Sequence, residues 1–395
     1  MEQRAYRVVT ASDVKEMNQK IHRHRRRILL LTALVAVVAL GTMTGVYLYI
    51  QNKSYTDYEI LHKVRRKDSE GTLFTSFEDN VIKYSKDGAS CINGENHLIW
   101  NQTYEMQSPM VDTCEGYAVI ADRKGEHVYI MDQKGPCGEI KTVMPIQRVR
   151  VANQGTVAIL MEQNGTGYIH LYDRQGKFLA EGELHTENTG YPLDISISND
   201  GRKLAVSLLD VNQGTVKTTL NFYHFGAAGQ KEIDNIVGQY SYEDLVVPKV
   251  EFLSNDVLVA FGNGKAVIFE GEQKPKVKAE IVSKSEIRSI FYNEAYVGFV
   301  FANENTKNSY RMQVFDLKGT EILVKDFNME YQEIQFLDRD EICVRTDLEC
   351  AIFTLRGVEK FHGNFKKNIW KVTSAGSIRD YTFWAEGETQ KIRLK

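Results

Sequence analysis

The chain starts basic and polar, passes through one long apolar run, and then alternates short apolar and polar segments to its end. The apolar run, residues 28–50 (ILLLTALVAVVALGTMTGVYLYI), contains no charge, Asn, Gln or Pro. A helix rises about 1.5 Å per residue and the hydrocarbon core is roughly 30 Å thick, so some 20 residues cross it. A soluble core helix keeps a polar stripe, and this run has none. It also exceeds the apolar region of a cleaved signal peptide and ends in bulky Val46, Tyr47, Leu48, Tyr49 and Ile50 instead of small residues at a cut site. A spanning signal anchor is therefore expected at 28–50. Lys15, Lys20, Arg23, Arg25, Arg26 and Arg27 precede it, whereas Lys53 is the only basic residue in the ten that follow. Basic flanks stay on the cytoplasmic side. The expected division is a cytoplasmic tail at 1–27, the anchor at 28–50 and an extracytoplasmic domain at 51–395. Within the tail, Ser12 is the expected helix cap. Gly41 and Gly45, spaced as G-x-x-x-G, are a candidate face for homodimerisation.

Beyond residue 50 the apolar period shortens from helical to two. Segments rich in Val, Ile, Leu, Tyr and Phe recur between turns of Gly, Asp and Asn, the pattern of an all-β sandwich, barrel or propeller. The clearest unit is 193–207 (LDISISNDGRKLAVS). Leu193, Ile195 and Ile197 alternate, Asn199-Asp200-Gly201 makes a tight turn, and Leu204, Ala205 and Val206 form a nearly continuous apolar strand. Counterparts begin at Ile146, Val247, Ile287 and Tyr331. A later Asp-x-x-Gly turn recurs at Asp122, Asp132, Asp173 and Asp316, where Asp accepts amide hydrogen bonds and Gly tolerates positive φ. Units start near 72, 109, 146, 192, 247, 287, 331 and 368, a mean step of about 42 residues, the length of a four-stranded propeller blade. The last unit supplies about three strands, and residues 58–65 (YEILHKVR) form an orphan strand just after the anchor. Pairing the two would close the ring and remove an exposed edge. An eight-bladed β-propeller is expected, with seven blades as the alternative.

The turn phrases resemble those of WD-repeat-like and quinone-cofactor (PQQ-like) propellers, without the Gly-His and Trp-Asp signatures of true WD repeats. A closer resemblance runs along nearly the whole chain. Residues 6–10 (YRVVT), the Arg-rich flank and anchor, 83–91 (KYSKDGASC), 100–109 (WNQTYEMQSP) and 190–194 (GYPLD) are similar to an uncharacterised family of membrane-anchored propeller proteins of clostridial Gram-positive bacteria. That resemblance implies the architecture and a cell-envelope location. It implies no activity and no functional residues.

Charge divides with the layout. The tail carries eight Lys and Arg against three acids. Residues 51–395 carry 41 against 49, a mildly acidic domain that argues against nucleic acid as a partner. No H-E-x-x-H, G-x-S-x-G or G-x-x-x-x-G-K-[ST] occurs. No catalytic, cofactor-binding or metal-ligating residue is singled out, and no cofactor is expected. The five cysteines, Cys91, Cys114, Cys137, Cys343 and Cys350, are too few and odd in number for a disulfide framework. A two-residue turn at Thr346-Asp347 would set Cys343 opposite Cys350, where a cross-strand bridge is conceivable. The expected function is a membrane-tethered, non-enzymatic binding or scaffold module at the cell envelope, with a protein or a cell-wall glycan as ligand. Alternatives are a ligand sensor signalling through the helix and a propeller enzyme with its site in the central funnel. The joining of anchor to orphan strand further suggests that the ring closes beside the bilayer.

Overall fold

The computed structural model describes residues 11–69, 71–185, 189–212, 214–283, 285–302 and 310–395. The chain divides into two units, one ending at Ser54 and the other spanning Tyr55–Lys395. Residues 6–10, which contribute to the family resemblance, lie outside the described residues.

The first unit is a single helix, Ala11–Gln51. It runs well beyond the apolar segment on its N-terminal side, so Ser12 lies inside the helix and not at the expected cap position. Its stretch Lys20–Tyr49 is long and apolar enough to cross a membrane. The hydroxyls of Thr32, Thr42 and Thr44 donate to the carbonyls of Leu29, Ala39 and Leu40 at 3.0, 2.9 and 2.8 Å, so these polar atoms are satisfied inside the helix.

The second unit is an eight-bladed β-propeller, each blade a four-stranded antiparallel sheet. Blades 1 to 7 occupy 73–103, 109–141, 146–185, 191–243, 249–282, 287–327 and 333–364. Blade 8 combines 369–394 with Tyr58–Arg65, which pairs antiparallel with Glu388–Leu394 as the fourth strand. The orphan strand therefore closes the ring, as its sequence implies. First strands begin at Leu73, Pro109, Ile146, Tyr191, Lys249, Ile287, Glu333 and Ile369, within two residues of the expected unit starts.

Packing explains the near-continuous apolar strands. A blade inside the ring is covered on both faces, so a middle strand such as Val257–Phe261 is buried at every position. The core is correspondingly divided into eight apolar clusters, one at each junction of successive blades. Seven contain ten or more buried side chains. The eighth, between blades 8 and 1, contains three: Val81, Ile92 and Trp384, with Phe74 against them.

Arg66 reinforces that sparse seam. Its guanidinium donates to both carboxylate oxygens of Asp68 at 2.7 and 2.9 Å, to Thr389 Oγ1 at 2.6 Å and to the carbonyls of Ala385 and Glu388 at 2.8 and 3.3 Å. It lies 4.8 Å from the ring centre of Phe74 and 5.8 Å from that of Trp384. Arg66 follows the closing strand directly, so one side chain joins the link after that strand to blade 1 and blade 8.

Two turn expectations resolve differently. Asp132, Asp173 and Asp316 accept amides two to four residues on, as expected of hairpin turns. Asp122 instead reaches back to the amides of Gln107 and Ser108. In blade 7, Thr346 Oγ1 accepts the amides of Leu348 and Glu349, which centres the turn on Asp347-Leu348. Cys343 consequently faces Ile352, and Cys350 faces Arg345. The thiols lie diagonally, 3.6 Å apart and buried, rather than directly opposite.

Candidate functional site

Two of the propeller's cavities lie among charged and polar side chains, and the ring's construction accounts for both. The smaller, about 250 Å³, is the central funnel, lined by the first strands of blades 2 to 6. Its charges are matched from blade to blade. Arg150 of blade 3 faces Asp112 of blade 2 at 3.6 Å and Asp194 of blade 4 at 3.2 Å. Arg148 adds a second contact to Asp194 at 3.5 Å, and the Asp194 carboxylate also accepts the amide of Val250 in blade 5 at 3.1 Å. Lys249 pairs with Glu251. Further round, Glu333 of blade 7 bridges Arg345 and Lys371 of blade 8 at 2.7 and 3.1 Å. Burial is the largest influence on Asp112; with the nearby Glu251 charge it outweighs Arg150 and pushes the carboxyl up to about 6. Burial and four surrounding carboxylates push the neighbouring Cys114 thiol to about 12, so it stays protonated and unreactive. Asp112, Arg150, Asp194 and Arg148 thus stitch blades together and are occupied with one another, while Glu115 and Glu294 at the rim make no ion pair among the described residues.

The larger cavity, about 860 Å³, is a cleft at the sparse seam between blades 8 and 1, bordered by the end of the first strand of blade 7. Its existence follows from an alternation in blade 8. In Asp380–Ala385, Tyr381 and Phe383 pack towards blade 7, while Asp380, Thr382 and Trp384 line the cleft. In Glu388–Leu394, Ile392 and Leu394 again pack towards blade 7, and Lys391 and Arg393 line the cleft. Blade 8 thus presents a polar face where other blades present apolar ones. A bulge in the closing strand between Ile60 and His62 adds Leu61 and His62 to the lining.

The polar groups of the cleft divide into fixed and free. Arg393 grips Asp380 through two hydrogen bonds of 2.7 and 2.8 Å, which hold that carboxyl below the usual range. Trp384 Nε1 donates to Thr373 Oγ1 at 3.3 Å. By contrast, Glu78, Asp79 and Asp338 make no side-chain ion pair among the described residues. Lys391 acts on Asp380 only through its charge, and Ser374 Oγ is buried without a hydrogen-bond partner. A Cβ on Gly94, in a blade 1 turn, would stand 3.7 Å from Thr382 Oγ1, so the two walls approach closely there. Among the described residues, no three His, Cys, Asp or Glu side chains converge as metal ligands.

Sequence reasoning named no site residue and missed both cavities. The funnel pairs join strands some forty residues apart and had no local signal. The cleft did have one: polar Asp380 and Thr382 alternate with Tyr381 and Phe383, and Lys391 and Arg393 with Ile392 and Leu394, which strands covered on both faces do not require.

Residues 51–394 match the family of unknown function DUF5711. The chain belongs to that family. No curated protein matches it. Among solved structures, the chain is similar to the C-terminal WD40 domain of Sif2, with 10% identity, coverage of 86% of this chain and 99% of that one, and a TM-score of 0.56. It is also similar to BamB from Moraxella catarrhalis, with 14% identity, coverage of 86% and 100%, and a TM-score of 0.49. The WD40 domain of Neurospora crassa Pan2 matches with 10% identity, coverage of 86% and 95%, and a TM-score of 0.47. At these identities the Sif2 likeness bears on the fold alone. The DUF5711 description assigns no activity.

Proposed function

We propose that this DUF5711 protein is a membrane-tethered, extracytoplasmic binding module without catalytic activity, and that the closure cleft is its binding surface. In this reading residues 1–27 are cytoplasmic, 28–50 span the membrane and 51–395 lie outside. The anchor is supported by an apolar helix whose hydroxyls are internally satisfied, and the orientation by the Arg-rich flank before it. The observation that carries the binding role is the cleft itself. At about 860 Å³ it falls in the size range of ligand sites, and its free polar groups face inward between two rigid blades. The funnel supports an enzyme less well, because its carboxylates and guanidinium are engaged in joining blades.

Orientation is tested by placing a cysteine at exposed Glu95 or at Lys20 in a chain whose native cysteines are replaced, then treating intact cells with a membrane-impermeant maleimide. Labelling at position 95 and protection at position 20 is the expected result; the reverse pattern refutes the layout. The binding role is tested by comparing proteins and saccharides recovered with wild-type chain and with a cleft-filling Gly94→Trp chain from the same membranes. Identical recovery would exclude the cleft.

A further inference from the structure

From the chemistry of its lining, we infer that the closure cleft accepts a neutral or cationic polyhydroxylated ligand, an oligosaccharide in the class of amino sugars, and rejects anionic ones. This rests on the reading of the cleft as the binding surface and specifies its ligand.

Three observations converge. First, the free groups are a mixture of donors and acceptors: Asn80, Thr382, Ser374 and Lys391 on one hand, Glu78 and Asp79 on the other. A sugar hydroxyl both donates and accepts, so a ring bearing several of them answers such a mixture, whereas an apolar ligand would leave these groups dehydrated and unpaired. Ser374 Oγ, buried in the wall with no partner in the protein, is the kind of atom a ligand hydroxyl or amide satisfies. Second, the charge is lopsided. Arg393 is neutralised by Asp380, leaving Lys391 against Glu78, Asp79 and Asp338. Phosphate or uronate groups would meet net repulsion, and an ammonium group would be attracted. Third, the cleft is narrow at Gly94, where an added Cβ would already reach 3.7 Å from Thr382 Oγ1, so the opening suits a thin, extended chain of rings better than a flat protein surface.

The test uses the full chain in lipid nanodiscs and three oligosaccharides of equal length: N-acetylglucosamine (neutral), glucosamine (cationic) and galacturonic acid (anionic). Binding of the first two, with glucosamine about tenfold tighter at low salt and galacturonate not bound, is the expected result. Gly94→Trp should weaken both by at least tenfold, while Gly94→Ala, whose Cβ makes only ordinary contact, retains them. Glu78→Gln with Asp79→Asn should abolish the preference for glucosamine and leave N-acetylglucosamine binding in place. Galacturonate binding as tight as the others, or saccharide binding indifferent to Gly94→Trp, overturns the inference. A photo-crosslinking residue at Glu95 separates the two readings. Capture of an envelope protein, without saccharide binding, refutes the ligand class and retains the cleft as a binding surface. Neither capture nor saccharide binding refutes both.

Discussion

Replacing Arg66 by Met should open the propeller at one junction and leave the others closed. The side chain is 3% exposed, and its five hydrogen bonds engage Asp68, Thr389 and the carbonyls of Ala385 and Glu388. Methionine conserves much of the apolar stem against Phe74 and Trp384 but leaves two carbonyls unpaired and Asp68 with only Lys83 at 3.4 Å and the Gly387 amide at 3.2 Å. Removing one partner of a buried ion pair costs about 3–5 kcal/mol. The seam's three buried apolar side chains contribute roughly 5–9 kcal/mol, at about 1.5–3 kcal/mol each. Losing Arg66 therefore removes a large share of what holds blade 8 to blade 1. At the other seven junctions, with ten or more buried side chains each, no single polar group matters as much. Hydrogen exchange followed by mass spectrometry, on full chain in nanodiscs, reads the result strand by strand. Protection in Tyr58–Arg65, Leu73–Phe77 and Glu388–Leu394 should fall by two or more powers of ten, since about 1.4 kcal/mol is tenfold, while blades 3 to 6 keep theirs. Arg66→Lys should recover only part of the loss, because an ammonium cannot reproduce the planar fork on Asp68. Uniform loss of protection across all eight blades, or unchanged protection at the seam, would refute the reasoning.

Acid should weaken the pairing of the closing strand within blade 8. Burial alone would raise the Glu388 carboxyl, but hydrogen bonds from Lys367, Lys63 and Gln390 outweigh it and hold the group at about 2. A carboxyl lowered on folding stabilises above its unfolded value near 4.5, and this contribution fades as pH falls towards 2. The denaturation midpoint should drop over that interval, and less steeply in Glu388→Gln; an equal slope in the two chains would count against the assignment. In the membrane helix, a Cβ on Gly41 or Gly45 meets nothing within 4 Å, so that face is open to a second helix. Gly41→Ile with Gly45→Ile should abolish in-membrane crosslinking between copies; unchanged crosslinking means that helices do not associate there. Finally, the diagonal placement of Cys343 and Cys350 predicts five titratable thiols in denaturant without reductant, and a count of three would show a bridge.

The blade count and the closing strand were readable because each depends on a local pattern repeated along the chain. A tight turn between two apolar strands marks a unit, and eight units at a mean step of about 42 residues give a ring. The register of the blade 7 hairpin was not readable, because it depends on which residue caps the turn. Thr346, through its hydroxyl, moved the turn centre by one position and so shifted the strand pairing by two. The funnel was beyond reach for a different reason: Asp112, Arg150 and Asp194 sit on three blades, and nothing in the spacing of their positions says that they converge.

The cleft lies between these cases. The alternation of Asp380, Thr382 and Trp384 with Tyr381 and Phe383 is plain in the chain, but alone it describes an ordinary half-exposed strand. It acquires meaning only once residues 58–65 are placed outside 388–394, because that pairing makes 380–385 an interior strand that must be covered on both faces. A polar face there is then costly unless something occupies it or holds it. Arg66 holds one end, at Thr389 and Ala385, and Arg393 with Asp380 holds another. Between them Lys391 and Ser374 remain without hydrogen-bond partners, facing the acids of blade 1 across the cleft. Apolar residues at those positions would have given blade 8 the same core as its seven counterparts. Their polarity is hard to account for by ring stability alone, and binding in the cleft supplies the missing reason.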